Sequence, residues 1–280
     1  GKLVLTGYID RYEPSLSASE HPVRIAGRGR CQDLVDCAAG VKADGSFAMQ
    51  ITQGSAFRIA TDLAAPFGIP VSLNDEETST TIPRFNINLG ESPFEIIDRV
   101  TRYRQLIAYE SVGGGLVLSR VGKARMASGV VEGQNFENGG ASFAMDGRYS
   151  DYYVTWTSTD GLSQVRDATG GVNGNLHGYV KDDSVPRFRP RIIVSEQIVD
   201  GVDIGQARAV WEMNRRNALA QALSVTVDSW VDGAGDLWEP NRLIPIDLPS
   251  LKITGKEWII GEVTFRRGED GTHALSLIHI

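Results

Sequence analysis

With 280 residues the chain is long enough for two or three domains with cores of their own. Hydrophobic residues at 41% and charged residues at 22% exclude a disordered or fibrous chain and fit a folded, soluble type. A formal net charge of −7 argues against a protein that wraps duplex DNA through phosphate contacts.

The N-terminal stretch reads as strands at Leu3 to Ile9 and Val23 to Gly27, followed at Asp33 to Ala39 by one helical turn or a bulged strand. A turn is expected at Ala43-Asp44-Gly45-Ser46. From about residue 54 the pattern changes. Ile59, Ala60, Leu63 and Ala64 fall at helical spacing, and Pro66 and Gly68 stop that helix. Ile69 to Leu73 suits a short strand, and Asp75 to Thr81 is polar and turn-like. A second helix begins at Ser92-Pro93-Phe94-Glu95. Here Ser92 can cap, Pro93 suits the first helical position and Glu95 completes a capping box. Ile96, Val100 and Tyr103 then share one face. A hairpin follows, Leu106 to Tyr109 against Leu116 to Ser119, turning through Gly113-Gly114-Gly115. That glycine run opens no helix and lacks the Lys-Ser/Thr of a phosphate loop.

Residues 123 to about 200 are strand-like and irregular. Tyr149, Tyr152, Tyr153, Val154 and Trp156 make an aromatic strand, and 161–178 reads as a long loop or insertion. Arg187, Arg189 and Arg191 alternate along Pro186 to Ile193. On a strand they share one face, either a solvated edge or a contact with another subunit or a lumen. A third helix is expected from Ile204 to Ala222, capped by Asp203 with Gln206, its buried face marked by Ile204, Ala207, Trp211, Ala218 and Ala222. From Leu223 to Arg267 the chain reads as four short strands. Val225 and Val227 share a face, Leu243, Ile244 and Ile246 make a second strand, and Trp258 to Phe265 a later one. Gly261 inside that last run predicts a bulge or a sharply bent barrel wall.

Chemistry is sparse. His21, His177, His273 and His279 are scattered without ligand spacing, and no GxSxG elbow is present. Asp75-Glu76-Glu77 and Asp182-Asp183 read as solvated charge. A glycosidase pair is defined by separation in space and is not decided by sequence. Cys31 and Cys37 are too few for a disulfide scaffold and are expected to be reduced, packed thiols. No apolar run approaches the roughly 20 residues of a membrane helix, and no basic-then-apolar leader opens the sequence. Production and assembly in the cytoplasm, with no membrane partner, are the expectation. No catalytic residue, metal ligand or cofactor is expected.

Gly235-Asp236-Leu237-Trp238-Glu239-Pro240-Asn241, followed by Leu243-Ile244-Pro245-Ile246-Asp247, resembles a barrel of the baseplate hub proteins of contractile-tailed, Mu-like phages. Thr6 to Asp10, Ile25 to Arg28, Asp33 to Ala39, Ala64 to Gly68 and Arg187 to Pro190 resemble the same family in the same order. The resemblance implies an α+β, mainly β fold: two small antiparallel tube-type barrels with an α/β insert. The expected boundaries are a first barrel at 1–50, truncated at its N-terminus, an insert at 54–122 and a second barrel at 123–275. Residues 275–280 match a translated sequencing adaptor and are expected to be a non-native tail, although Ala274 to Leu277 alone would suit a final strand. The resemblance further implies a homotrimeric ring in the virion tail baseplate. Its partners would be the tail tube protein, the central spike protein and the tape-measure protein, with DNA passing through without specific binding. A type VI secretion spike–hub component and a tail-associated cell-wall hydrolase are the alternatives. Trp238, Pro240, Asn241, Arg187, Arg189 and Arg191 are the candidate subunit-interface or barrel-anchor residues.

Overall fold

The structure, a computed structural model, describes residues 1–42, 44–48, 50–74, 82–122, 124–155, 176–194, 202–268 and 271–279. The described chain is mainly β and divides into two compact units, residues 1–120 and 121–280.

The first unit opens with an antiparallel hairpin of β1 (Gly7–Pro14) and β2 (Val23–Gly29), bulged at Asp10. The first strand starts later than its apolar lead-in suggests and runs on through Arg11 and Glu13. The side chains of β1 are exposed on both faces, so no burial alternation marks its limits. Arg28 holds the hairpin to the next element, donating to Asp10 at 2.8 Å and to Asp36 at 2.5 Å. Asp36 closes α1 (Gln32–Asp36), so the helical-turn alternative is the one formed. Next come β3 (Gln50–Gly54), α2 (Ala56–Ala64) and a 3-10 turn that ends at Gly68 with φ +65°. β4 (Val71–Leu73) lies parallel to β7 (Leu116–Ser119), which pairs antiparallel with β6 (Ile107–Glu110) across the expected glycine turn. β5 (Ile82–Asn86) pairs with β3. Neither β3 nor β5 is evident from sequence: Pro83 interrupts the second, as is tolerated on an edge.

Helix α3 (Pro93–Arg104) begins as its sequence dictates. The Ser92 hydroxyl accepts from the Glu95 amide at 3.2 Å, and the Glu95 carboxylate accepts from the Ser92 amide at 2.8 Å. Leu34, Ile59, Leu63, Ile96, Ile97 and Leu118 are buried in one apolar core between these helices and strands. Asp75 to Thr81 and the side chain of Tyr103 lie outside the described residues.

The second unit holds a six-stranded sheet in the order β8-β14-β15-β16-β13-β9. Its strands are β8 (Val130–Val131), β9 (Phe136–Phe143), β13 (Gln221–Val227), β14 (Leu243–Leu248), β15 (Ile253–Gly268) and β16 (Gly271–His279). The two outermost strands, β8 and β9, are consecutive in the chain and separated by only residues 132–135. Asn135 fastens that turn: its side-chain oxygen accepts from the Val131 amide and its NH2 donates to the Gly129 carbonyl, both at 2.9 Å. A sheet whose two edges are so tied must curl back on itself, and the result is a nearly closed, barrel-like sheet. Leu223, Val225, Ile244, Ile246, Trp258 and Ile260 fill its interior. The predicted irregularity at Gly261 is present as a register shift between Ile260 and Glu262 against β16. The backbone of residues 274–279 pairs with both β13 and β15. Strand β9 escapes sequence reading because Asn138, Gly139 and Gly140 look like a turn. A Cβ on Gly139 would stand 2.3 Å from the Ser224 carbonyl oxygen, so the glycine is there to let two strands meet.

A second, smaller sheet has the order β11-β10-β12, from β11 (Leu176–Lys181), β10 (Asp151–Thr155) and β12 (Pro190–Val194). Helix α4 (Val202–Leu219) packs on it. Two expectations are corrected here. The helix starts before Asp203, which therefore does not cap it; Gln206 instead clasps the Tyr179 main chain, accepting from its amide at 3.0 Å and donating to its carbonyl at 2.9 Å. The buried face is also different: Gly205, Ala209 and Glu212 are buried, while Ala207, Trp211 and Ala218 are half-buried, Ala222 belongs to β13 and the side chain of Ile204 lies outside the described residues. The cause is contact distance. A Cβ on Gly178 of β11 would stand 2.2 Å from the Gly205 carbonyl oxygen, so helix and strand touch backbone to backbone where only small residues fit. Trp156 and residues 161–175 of the expected loop lie outside the described residues, as does the side chain of His177.

Candidate functional site

Trp238 lies within the barrel-like sheet's own core, 5% exposed. Its indole N–H donates to the Ser229 carbonyl at 3.0 Å, and its amide donates to the Trp230 carbonyl at 3.2 Å. Trp230 in turn donates to the carbonyls of Arg266 and His273 at 2.9 and 3.1 Å, tying the loop to β15 and β16. The loop between these tryptophans is wound on Asp232. That carboxylate accepts from the amides of Ala127, Ala234 and Asp236, each at 2.9 Å. Burial works against the charge on Asp232, but the ring of backbone amides outweighs it and holds its pKa below the usual carboxylate range. Gly235 takes φ +86° to complete the turn.

Pro240 is exposed. Asn241 adopts the left-handed conformation, φ +62°, and its side-chain oxygen accepts from the Gly122 amide at 2.6 Å. Its own amide donates to Ile260 at 2.7 Å. The Gly235 to Asn241 string that carries the family resemblance, with Asp232 ahead of it, is thus a set of internal fastenings, some local to the turn and some, as at Gly122 and Ala127, reaching far along the chain.

The three arginines do not share a strand face. β12 begins only at Pro190, which has no N–H to donate, so Arg187 and Arg189 precede it. Arg187 is exposed, while Arg189 and Arg191 are half-buried and converge on Tyr149. Their guanidinium carbons lie 5.4 and 5.1 Å from the centre of its ring, and Arg216 of α4 reaches the same ring at 5.2 Å. Glu212, buried on α4, accepts Arg216 at 2.7 Å and stands 3.5 Å from Arg208. Arg148 is bound by Asp182 at 2.7 Å. Burial opposes the charge on Asp182, yet the hydroxyl of Ser184 and the Arg148 guanidinium prevail and hold its pKa low. On the other side of β10, Asp151 accepts from the Ser150 and Tyr179 hydroxyls at 2.6 and 2.7 Å. Those two bonds lower its pKa, and the carboxylate pushes the Tyr179 phenol up to about 12. Sequence reading missed this set because Tyr149 reads as part of an aromatic strand and Asp182 as a solvated charge, while Arg216, the partner of Tyr149 on α4, lies far along the chain.

Among the described residues no three His, Cys, Asp or Glu side chains gather as a metal site would require. Both cysteines are free; burial, ahead of nearby Glu110, pushes the Cys31 thiol up to about 12, which makes it unreactive near neutrality. Among the described residues no helix is long and apolar enough to cross a membrane.

Residues 31–120 match the family described as baseplate hub protein gp44-like, second domain. Over 266 residues, 94% of this chain and 68% of its relative, the sequence is 31% identical to the baseplate hub protein gp44 of Escherichia phage Mu. The chain belongs to the gp44-like baseplate hub proteins. This hub protein is accordingly a structural component of a phage tail, part of the virion and not an enzyme. Its fold superposes on the 43 kDa tail protein of prophage MuSo2 from Shewanella oneidensis with a TM-score of 0.79 and 25% identity, covering 98% of this chain and 77% of that one. The tail protein of Neisseria meningitidis MC58 follows at 0.76 and 20%, covering all of this chain and 81% of that one. The Escherichia coli c3393 protein, a type VI secretion component, shares the fold at a TM-score of 0.57 and 10% identity, covering 98% of this chain and 59% of that one.

Proposed function

We propose that this hub protein forms a homotrimeric ring at the end of the tail tube. Each copy supplies two tube-type barrels, one built on residues 1–50 and one on 123–275, with the 54–122 α/β region inserted between them. Three copies then present six similar barrels to a sixfold tube on one side and a threefold spike on the other, leaving a channel through which DNA passes without specific binding. The observation that carries the reading is the 31% identity to a named baseplate hub protein over 94% of the chain. Two features support it. The six-stranded sheet is nearly closed, as a barrel of a ring wall must be. The β1–β2 hairpin holds Tyr8, Ile9, Tyr12 and Ile25 exposed, at 45, 71, 65 and 58%, an apolar surface that calls for a cover in the assembly. The acidic balance, −7, also suits a wall that DNA slides past.

Sedimentation of the chain alone and with its tube and spike proteins tests the ring. A trimer, alone or in the mixture, is expected. A chain that stays monomeric at high concentration with both partners present removes the arrangement. The shared fold of the type VI secretion component keeps a spike–hub of such an apparatus as the second reading, and a fused β-helical needle on the full gene product would favour it.

A further inference from the structure

We propose that the guanidinium groups ranged round Tyr149 form a receiving site for a carboxylate carried by a neighbouring protein chain. The proposal rests on the hub reading only for where that neighbour comes from. Three arginines from two parts of the chain, Arg189 and Arg191 at β12 and Arg216 on α4, stand within 5.4 Å of one ring centre. Three like charges in so small a space repel one another, and the ring's negative faces offset only part of that.

The carboxylates at hand are already engaged. Glu212 holds Arg216 and faces Arg208, and Asp182 holds Arg148. Among the described residues Arg189 and Arg191 have no acidic partner. Arg189 donates to the Asp146 carbonyl at 2.7 Å, and Arg191 reaches the Tyr149 hydroxyl at 3.3 Å. Both acceptors are neutral. The Arg191 Nε is itself buried and has no hydrogen-bond partner among the described residues, so little within them offsets the charge of this guanidinium.

Two half-buried guanidinium groups with spare donors match the planar, two-oxygen geometry of a carboxylate. The surroundings favour a protein as its carrier over nucleic acid. Phe188, 77% exposed beside Arg189, supplies the aromatic rim that goes with arginine at protein interfaces.

The test is binding of a fluorescein-labelled hexaglutamate peptide to the full chain, read by anisotropy at a concentration where sedimentation shows the lone chain. Hexaglutamine and a single-stranded oligodeoxynucleotide serve as parallel probes. Hexaglutamate should bind, and Arg191→Gln should weaken it at least tenfold. Arg267→Gln, which removes the same charge from exposed β15, should change it less than twofold, and Arg191→Lys should not restore it because a point charge replaces the fork. Thermal melting checks each variant; if Arg191→Gln melts early, Arg189→Gln carries the same expectation. No binding of hexaglutamate, or equal binding by the variants, overturns the site. Oligodeoxynucleotide binding with the same arginine dependence and no hexaglutamate binding reassigns it to phosphate and overturns the proposal as well. Sedimentation keeps the two readings apart: a trimer that ignores hexaglutamate after dissociation refutes only the site, and a chain that binds hexaglutamate but never assembles refutes only the ring.

Discussion

Replacing Trp238 by alanine separates a barrel anchor from an interface anchor. An indole side chain buries roughly 200 Å², and Trp238 is only 5% exposed within its own sheet's core. At about 25 cal/mol per Å² that area is worth about 5 kcal/mol, and compactness of the unfolded chain trims it to about 3–4 kcal/mol. The value agrees with the roughly 3–5 kcal/mol measured for Trp to Ala changes in protein cores. Trp238→Phe keeps most of the area but leaves the Ser229 carbonyl without its 3.0 Å donor, a loss of about 1 kcal/mol. The assay is urea unfolding followed by tryptophan fluorescence. All five tryptophans, Trp156, Trp211, Trp230, Trp238 and Trp258, fall in residues 121–280, so the signal reports that unit alone even after one is removed. A fall of about 4 kcal/mol for the alanine variant is expected. A fall below about 1 kcal/mol, accompanied by loss of a trimer that the wild type forms, would refute the internal packing argument and assign Trp238 to a subunit contact instead.

Three other outcomes follow from the same geometry. Trp258 is fully buried and its indole N–H has no partner among the described residues; Trp258→Phe should be near neutral, because removing an unsatisfied donor offsets the small cavity, and a loss above about 3 kcal/mol in the same fluorescence assay would show that the N–H is satisfied. Ser92→Ala removes the hydroxyl that accepts from the Glu95 amide, while the main-chain amide of residue 92 still donates to Glu95; it should cost about 1 kcal/mol, read as faster amide exchange at the start of α3, where unchanged exchange would contradict it. Asp232 has its folded-state pKa depressed by the surrounding amides, so its contribution is complete above the ordinary Asp value of about 4 and is lost as pH falls through the lower folded value. Urea midpoints should therefore drop below about pH 4, and Asp232→Asn should be less stable at neutral pH with a shallower acid decline; a wild type with a flat profile down to pH 3 would exclude this.

How far the sequence could be read depended on whether a residue's partner was near it in the chain. Ser92 and Glu95 are three residues apart, and their capping box forms as written. Gly261 marks a bulge because a strand-internal glycine has few local uses. Residues whose work is done on distant partners misled. Gly139 looks like a turn but makes room for the Ser224 carbonyl in β13. Arg187, Arg189 and Arg191 alternate as if on a strand, yet Ser150, far away in sequence, accounts for the path before Pro190 by accepting the Arg189 amide at 2.7 Å.

Helix α4 gives the sharpest case and shows how the two kinds of error are linked. Apolar periodicity points to Ala207, Trp211 and Ala218, whereas the helix buries Gly205, Ala209 and Glu212. Small residues are needed where Gly178 brings β11 against the helix backbone. Once that close approach is fixed, Glu212 two turns on must also face inward, and a buried carboxylate requires cations. Arg208 and Arg216 meet that requirement from neighbouring turns, one and the same helix carrying both. Arg216 is then held where it reaches Tyr149, and with Arg189 and Arg191 it leaves more positive charge round that ring than the described carboxylates balance. The inward turn of Glu212 and its arginines is therefore a consequence of packing, and the surplus charge at the end of the helix is what the proposed carboxylate would answer.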